Sequence, residues 1–225
     1  MEILKNFAVF EGPDGSGTTT QLNILDGLFH PQKPTRDALY AAESGKAYLP
    51  ESGNALPPLF KTFEPTDSII GKLIRSGLRK ETILSPETIA FLFAADRNEH
   101  IYGPGGVAER CIRGELTVSD RYLPSSLVYQ GITCGEELPI RLNRDFPGPE
   151  LLIYFDIDPE IAQKRISQRE NIEIYENLNF QNQVRQRYKT LLPLFERQGI
   201  MVEIIDASPP PEEVSARVWS IMQKM

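Results

Sequence analysis

Apolar residues in this chain fall into short dense runs, separated by longer stretches in which they recur every three or four positions. The runs are Phe7-Ala8-Val9-Phe10, Leu59-Phe60-Lys61-Thr62-Phe63, Leu116-Thr117-Val118-Ser119-Asp120, Leu151-Leu152-Ile153-Tyr154-Phe155-Asp156 and Met201-Val202-Glu203-Ile204-Ile205-Asp206. Each has strand length and ends in a turn or cap signal, so the pattern predicts five strands. Helical spacing predicts a helix over residues 18–29, with Leu22, Leu25, Leu28 and Phe29 on one face. Ser68 caps a second through Ile69, Ile70, Leu73 and Ile74, with Gly77 as its stop. Ser85-Pro86-Glu87 combines a capping hydroxyl, a first-turn proline and an acid, and so starts a third helix. That helix breaks at Gly103-Pro104-Gly105-Gly106; a short one over residues 107–113 ends at Gly114. Others start near Ser125-Ser126 and at Asp158-Pro159-Glu160, run over residues 180–197, and close the chain from Pro211 to Met225.

Strands alternating with helices imply a mostly parallel sheet with right-handed crossovers and helices on both faces. Ligands of such sheets bind beyond the carboxyl ends of the strands. Residues 12–20, 64–67, 120–122 and 206–210 should therefore converge on one edge. The pattern fails over residues 31–57, where Pro31, Pro34, Pro50, Pro57, Gly45 and Gly53 interrupt any period. A stretch of this length inside a compact domain is expected to be functional or mobile. A short helix over residues 36–43 is the one regular piece it allows.

The length, 225 residues, fits a single domain, residues 1–225. A net charge of −7 argues against broad binding to nucleic acid or an anionic membrane, while allowing a local basic pocket. Cys111 and Cys134 have no metal or redox spacing and read as reduced, packed thiols of a cytoplasmic protein. His30 and His100 have no partner spacing and read as surface or helix-end residues. No apolar run approaches the ~18 residues of a membrane span. A strand starts almost at the first residue, so no signal segment is expected.

Between the first strand and the first helix lies Gly12-Pro13-Asp14-Gly15-Ser16-Gly17-Thr18-Thr19-Thr20. Strand, glycine-rich loop and helix form the context of a phosphate-binding loop, whose backbone N–H groups and helix N-terminus face an anion. A tight turn without ligand is the competing reading. Gly12 and Gly17 hold the spacing of G-x-x-x-x-G-K-[ST], but Thr18 stands in the lysine position, and Thr19 takes the place of the metal-binding hydroxyl. At the next strand end, Asp120 suits Mg²⁺ and the planar guanidinium of Arg121 suits a phosphate; a plain salt bridge is the alternative. Phe93 and Arg97 share a helix face at i, i+4, as a base platform with a hydrogen-bond donor, or as a core ring beside a surface arginine. Lys164, Arg165 and Arg169 precede a helix break over residues 171–177, which suits a lid over a transferring phosphoryl group or a solvated basic face.

Phe10 to Gln21, Glu64-Pro65-Thr66-Asp67, Phe93-Ala94-Ala95-Asp96-Arg97, Asp120-Arg121-Tyr122 with Ser125-Ser126 and Tyr129-Gln130-Gly131, and Asp156-Ile157-Asp158-Pro159-Glu160 together resemble thymidylate kinases. The resemblance implies a P-loop NTPase-type three-layer α/β fold with a short lid at about residues 169–178 and an atypical insertion at about 31–57. It implies ATP- and Mg²⁺-dependent phosphorylation of thymidine monophosphate, usually by a cytosolic homodimer. Gly12, Asp14, Gly15, Ser16, Gly17, Thr18, Thr19 and Thr20 would hold the phosphates of ATP, with Thr19 and Asp120 at the metal. Asp14 would also meet the acceptor sugar, Phe93 would stack on thymine, and Arg97 would bond its edge. Arg121 would grip the acceptor phosphate; Glu64, Ser126, Tyr129 and Gln130 would complete the pocket. The loop at 206–210 would lie beside adenine.

Two cations are missing from their family places: the loop lysine is Thr18, and Ile174 stands where a lid arginine is frequent. The arginine often found before the Glu-Pro pair is Phe63. Such charges carry much of phosphoryl-transfer catalysis. Arg165 and Arg169 are the expected substitutes, with Lys61 and Lys72 behind them. Another nucleotide or nucleoside kinase, or a weakly catalytic nucleotide-binding regulator, are the alternatives the sequence keeps open.

Overall fold

The computed structural model describes residues 1–30, 59–167 and 177–225. In chain order its elements are β1 (Ile3–Glu11), α1 (Thr18–Phe29), β2 (Leu59–Phe63), α2 (Ile69–Leu78), α3 (Pro86–Tyr102), α4 (Val107–Ile112) and β3 (Leu116–Asp120). Then follow α5 (Leu123–Cys134), α6 (Glu137–Asn143), β4 (Gly148–Asp156), α7 (Pro159–Ile166), α8 (Leu178–Arg197), β5 (Met201–Asp206) and α9 (Pro211–Met222). The five strands form one sheet in the order β2-β3-β1-β4-β5. All four pairings are parallel. This is the P-loop NTPase-type α/β fold.

Alternation along the strands divides the core in two, because successive side chains point to opposite faces. Phe7 and Val9 of β1, with Leu152 and Tyr154 of β4, pack against α2, α3, α5 and α8. Ala8, Phe10, Leu151, Ile153 and Phe155 pack on the other side with α1 and α9, where Trp219 meets the ring of Phe29. Both faces of the central strands are covered, which is why their sequences read as unbroken apolar runs.

The helix starts carry the expected caps. Ser68 accepts from the Gly71 amide, Ser85 from Thr88, and Asp158 from Glu160 just ahead of Pro159. Three elements differ from the sequence expectation, one of them β4, which starts at Gly148 rather than Leu151. β1 begins at Ile3, before the apolar run, because its start pairs with Gly148 and Pro149 across a register shift at Asn6, whose φ is 61°. The short α6 has too few apolar positions to show a period. The expected helix at 36–43, the insertion at 31–57 and most of the lid lie outside the described residues.

Candidate active site

Register puts the strand ends side by side. Phe10 pairs with Asp120, and Asp120 with Phe63, so the segments following β1, β2 and β3 leave the sheet together at its carboxyl edge. The loop after β1 is shaped by glycine. Gly15 and Gly17 have φ of 82° and 91°, in the left-handed region that disfavours side chains. At Gly12 a Cβ would lie 2.8 Å from the Phe155 carbonyl, so the loop presses directly on the end of β4. Gly17 is the N-cap of α1 and makes no side-chain cap bond, leaving first-turn amides free to face an anion. The buried Ser16 hydroxyl has no hydrogen-bond partner among the described residues.

Thr19, on the first turn of α1, donates its hydroxyl to Asp120 Oδ2 at the end of β3. Asp120 Oδ1 is buried and has no partner among the described residues. Two hard oxygen donors and an unsatisfied carboxylate oxygen fit a magnesium ion bound mainly by water and nucleotide phosphate. Lys61 and Arg75 line the same cleft. Lys61 bonds Asp26 Oδ2 at 3.0 Å, and Arg75 lies over the ring of Phe63.

Arg121 has φ of 70°, an uncommon conformation for a side-chain-bearing residue. Its amide bonds Phe10 O at 2.9 Å. Its guanidinium reaches back under the loop, with Nη1 donating to Gly12 O at 2.9 Å and Ser125 Oγ at 3.1 Å, and Nη2 to Asp14 Oδ1 at 2.6 Å. Burial opposes this charge, but Tyr129, Asp14 and Asp120 outweigh it and hold the pKa well above the usual arginine value.

A pocket opens next to Arg121. Phe93, Arg97, Tyr129, Gln130 and Ser126 line it with Asp14, Glu64 and Pro65. Arg97 is no surface arginine: it is 1% exposed. Its Nε and Nη2 donate to Glu64 Oε2 at 3.0 and 2.6 Å, and Nη2 also to Ser126 Oγ at 3.0 Å. Nη1 donates to Asn143 Oδ1 on α6. Of the five N–H donors of a guanidinium, a single Nη1 hydrogen keeps no partner among the described residues. The neighbouring Asp96 accepts from the Thr66 amide and from the hydroxyls of Thr66 and Ser68, pinning the turn after Glu64.

Several site residues escaped the sequence reading. His100, expected at the surface or a helix end, does lie in the last turn of α3, with its imidazole held between Thr62 Oγ1 at 2.6 Å and Glu64 Oε1 at 2.9 Å. It lies one helical turn from Arg97, on the face α3 turns toward β2, which its lone position in the sequence did not reveal. Glu11 accepts from the amides of Tyr122 and Ser125 and the hydroxyls of Ser125 and Tyr188. Burial pushes its carboxyl pKa up, while Arg121 and these donors pull it down, for a net rise. An acid ending an apolar strand was the available signal for Glu11.

Arg165 lies elsewhere. It donates to the carbonyls of Ala207 and Ser208 at 3.1 and 3.2 Å. With Gly15, Ser16, Gly17, Gln21 and Pro209 it lines a second cavity, between the loop and the segment after β5. It does not line the cleft of Thr19 and Asp120. Arg169 and Ile174 lie outside the described residues.

The comparisons agree with this geometry. The family model for thymidylate kinase matches residues 40–218. A putative thymidylate kinase of Treponema pallidum is 40% identical over 192 residues, 85% of this chain and 81% of its own. The chain belongs to the thymidylate kinase family. A probable thymidylate kinase of Pyrobaculum aerophilum is 34% identical over 220 residues, 97% of both chains. A thymidylate kinase of Geobacillus is 33% identical over 222 residues, 93% of this chain and 92% of its own. As a member of the thymidylate kinase family, the protein is a phosphotransferase with ATP as donor. Among the described residues, no helix is long and apolar enough to cross a membrane.

Proposed function

We propose that the protein transfers the terminal phosphoryl group of ATP to thymidine monophosphate, assisted by Mg²⁺. The observation that carries the reading is the make-up of a single pocket. The guanidinium of Arg121, the carboxylate of Asp14, the ring of Phe93 and the buried guanidinium of Arg97 line it together with Tyr129. A nucleotide offers a match for each: phosphate, sugar, base and base edge. The one uncommitted Arg97 N–H matches a carbonyl on the base edge, whereas the amino group of cytosine would set donor against donor. That supports thymine as the base, with Phe93 beneath it and Ser126, Gln130 and Glu64 around it. Arg121 exchanges Gly12 O or Asp14 for the acceptor phosphate, and Asp14 meets the sugar.

The amides of the loop from Gly12 to Thr20 hold the donor phosphates, and the second cavity receives adenine beside Arg165. Thr19 and Asp120 hold the magnesium, which when bound neutralises phosphate charge. Thr18 contributes an amide and no charge, so transfer depends on a cation from elsewhere, and with Arg165 turned to the carbonyls after β5 the remaining candidate is Arg169. The whole chain acts as one domain in a cytoplasmic homodimer. The free thiols of Cys111 and Cys134 suit a reducing compartment. Exposed Ile69, Leu73, Ile83 and Phe91, on or between the packed helices α2 and α3, supply apolar surface for a second copy.

A coupled assay of ADP release across the nucleoside monophosphates tests the reading. Thymidylate should give the highest kcat/KM, and chelation of magnesium should abolish turnover. A faster reaction with a purine or cytidine monophosphate would refute it.

A further inference from the structure

We infer that Gln181 is a positioning residue for the acceptor site. It fixes the carboxylate of Asp14 through a two-way hydrogen bond from the first turn of α8. This rests on the reading of Asp14 as the group that meets the acceptor sugar.

Gln181 is 1% exposed. Its Oε1 accepts the Asp14 amide at 3.0 Å, and its Nε2 donates to Asp14 Oδ2 at 2.8 Å. One side chain thus meets a donor and an acceptor of the same residue. A carboxamide carries both groups on one carbon and in one plane, spaced to meet an adjacent amide and carboxylate. The partners also fix which way round the amide sits, because the reverse would face N–H with N–H and oxygen with carboxylate. Lysine would supply no acceptor and glutamate no donor.

The consequence lies in the other carboxylate oxygen. Asp14 Oδ1 is held by Arg121, the group assigned to the acceptor phosphate. When Arg121 turns to that phosphate, Oδ1 is released to a sugar hydroxyl. Gln181 keeps Oδ2 and the peptide amide in place meanwhile, so the carboxylate stays aimed. The same helix supports the rest of the wall. Phe180 packs against the ring of Tyr129 at 5.9 Å between centroids, and Tyr188 donates to Glu11 at 2.7 Å. Gln181 and Tyr188, seven positions apart, fall on one helical face. α8 thereby holds both the loop after β1 and the residue that ends β1.

The test compares thymidine monophosphate with its 3′-deoxy analogue, which lacks the only sugar hydroxyl. In the wild-type protein, the ratio of their kcat/KM values measures the hydroxyl contact, and Asp14→Asn should reduce that ratio. Gln181→Leu should reduce it about tenfold or more, the scale of one charge-assisted hydrogen bond, with the KM for ATP unchanged. Gln181→Glu keeps the size and the bond to the Asp14 amide but loses the donor, and should reduce the ratio as well. It also guards against a Leu variant that fails to fold. Equal losses with both substrates, or an unchanged ratio, would overturn the positioning role while leaving the kinase reading intact. An unchanged ratio in Asp14→Asn would overturn the sugar assignment and the inference with it. No turnover of thymidylate by the wild-type protein would sink the underlying reading instead.

Discussion

Glu64→Ala should be among the most damaging single substitutions in the protein. The side chains of Glu64 and Arg97 are 2% and 1% exposed, and the carboxylate takes bonds from Nε, Nη2 and the imidazole of His100. Without it, the guanidinium keeps only the neutral Asn143 and Ser126. Removing one partner of a buried ion pair costs about 3–5 kcal/mol, because the remaining charge cannot return to water. In a chain of this size each kcal/mol moves the melting temperature by about 2–4 °C, so a fall of about 6–20 °C is expected. Asp145→Ala is the control: its pair with Arg144 has side chains 86% and 69% exposed. Such a surface pair is worth about 0–1 kcal/mol. Thermal melts and urea titrations of both variants measure the contrast. Comparable small losses in the two would refute the claim that Arg97 depends on Glu64 for its charge balance.

Phe93→Ala should raise the KM for thymidylate about tenfold and leave that for ATP unchanged, since a stacked base contributes about 1–3 kcal/mol; steady-state kinetics with each substrate varied would show it, and equal changes would exclude Phe93 from the base site. Thr18→Lys should raise kcat about tenfold or more at saturating substrates by restoring a cation to the transferring group; an unchanged kcat would mean that the charge is already fully supplied elsewhere. Arg185→Met addresses pH. Burial pushes the Asp156 carboxyl up, but the bonds and charge of Arg185, with Lys189, outweigh it and hold the pKa below the ordinary value. The pair's stabilisation is therefore complete above the unfolded pKa of about 3.9 and is lost as pH falls through the lower folded value. Urea unfolding at pH 6 should separate wild type from Arg185→Met, with the gap closing near pH 2; a gap of constant size would contradict this linkage.

The strands and most helix starts were legible because they obey local rules. Buried parallel strands leave dense apolar runs, and Ser68, Ser85 and Asp158 mark helix starts within a few residues of what they cap. The start of β1 was hidden because polar Lys5 and Asn6 sit in it, one of them at the register shift. The glycine loop after β1, Asp120 with Arg121, and Phe93 with Arg97 were legible as parts of one candidate site because the members of each are neighbours in the chain. The supporting residues were not. Gln181 reaches Asp14 across 167 positions, and Tyr188 reaches Glu11 across 177. Asn143 reaches Arg97 from a helix too short to show a period. His100 looked solitary because its partners, Thr62 and Glu64, lie on another element. Arg165 was read from its basic helix as a cation for the transferring group, and its contacts with two carbonyls after β5 appear only once α7 is packed.

Arg121 carries a conflict between durability and performance. Its left-handed backbone costs a side-chain-bearing residue about 1–2 kcal/mol, and glycine would adopt it freely. Yet glycine would leave no guanidinium at the end of β3 for the acceptor phosphate proposed to bind there. Glycine would relieve that backbone cost but forfeit the bonds to Gly12 O, Ser125 Oγ and Asp14, so heat tolerance alone is a poor guide to variants at this position. Selection at this position has to be made on turnover, with the gain in robustness sought elsewhere in the chain.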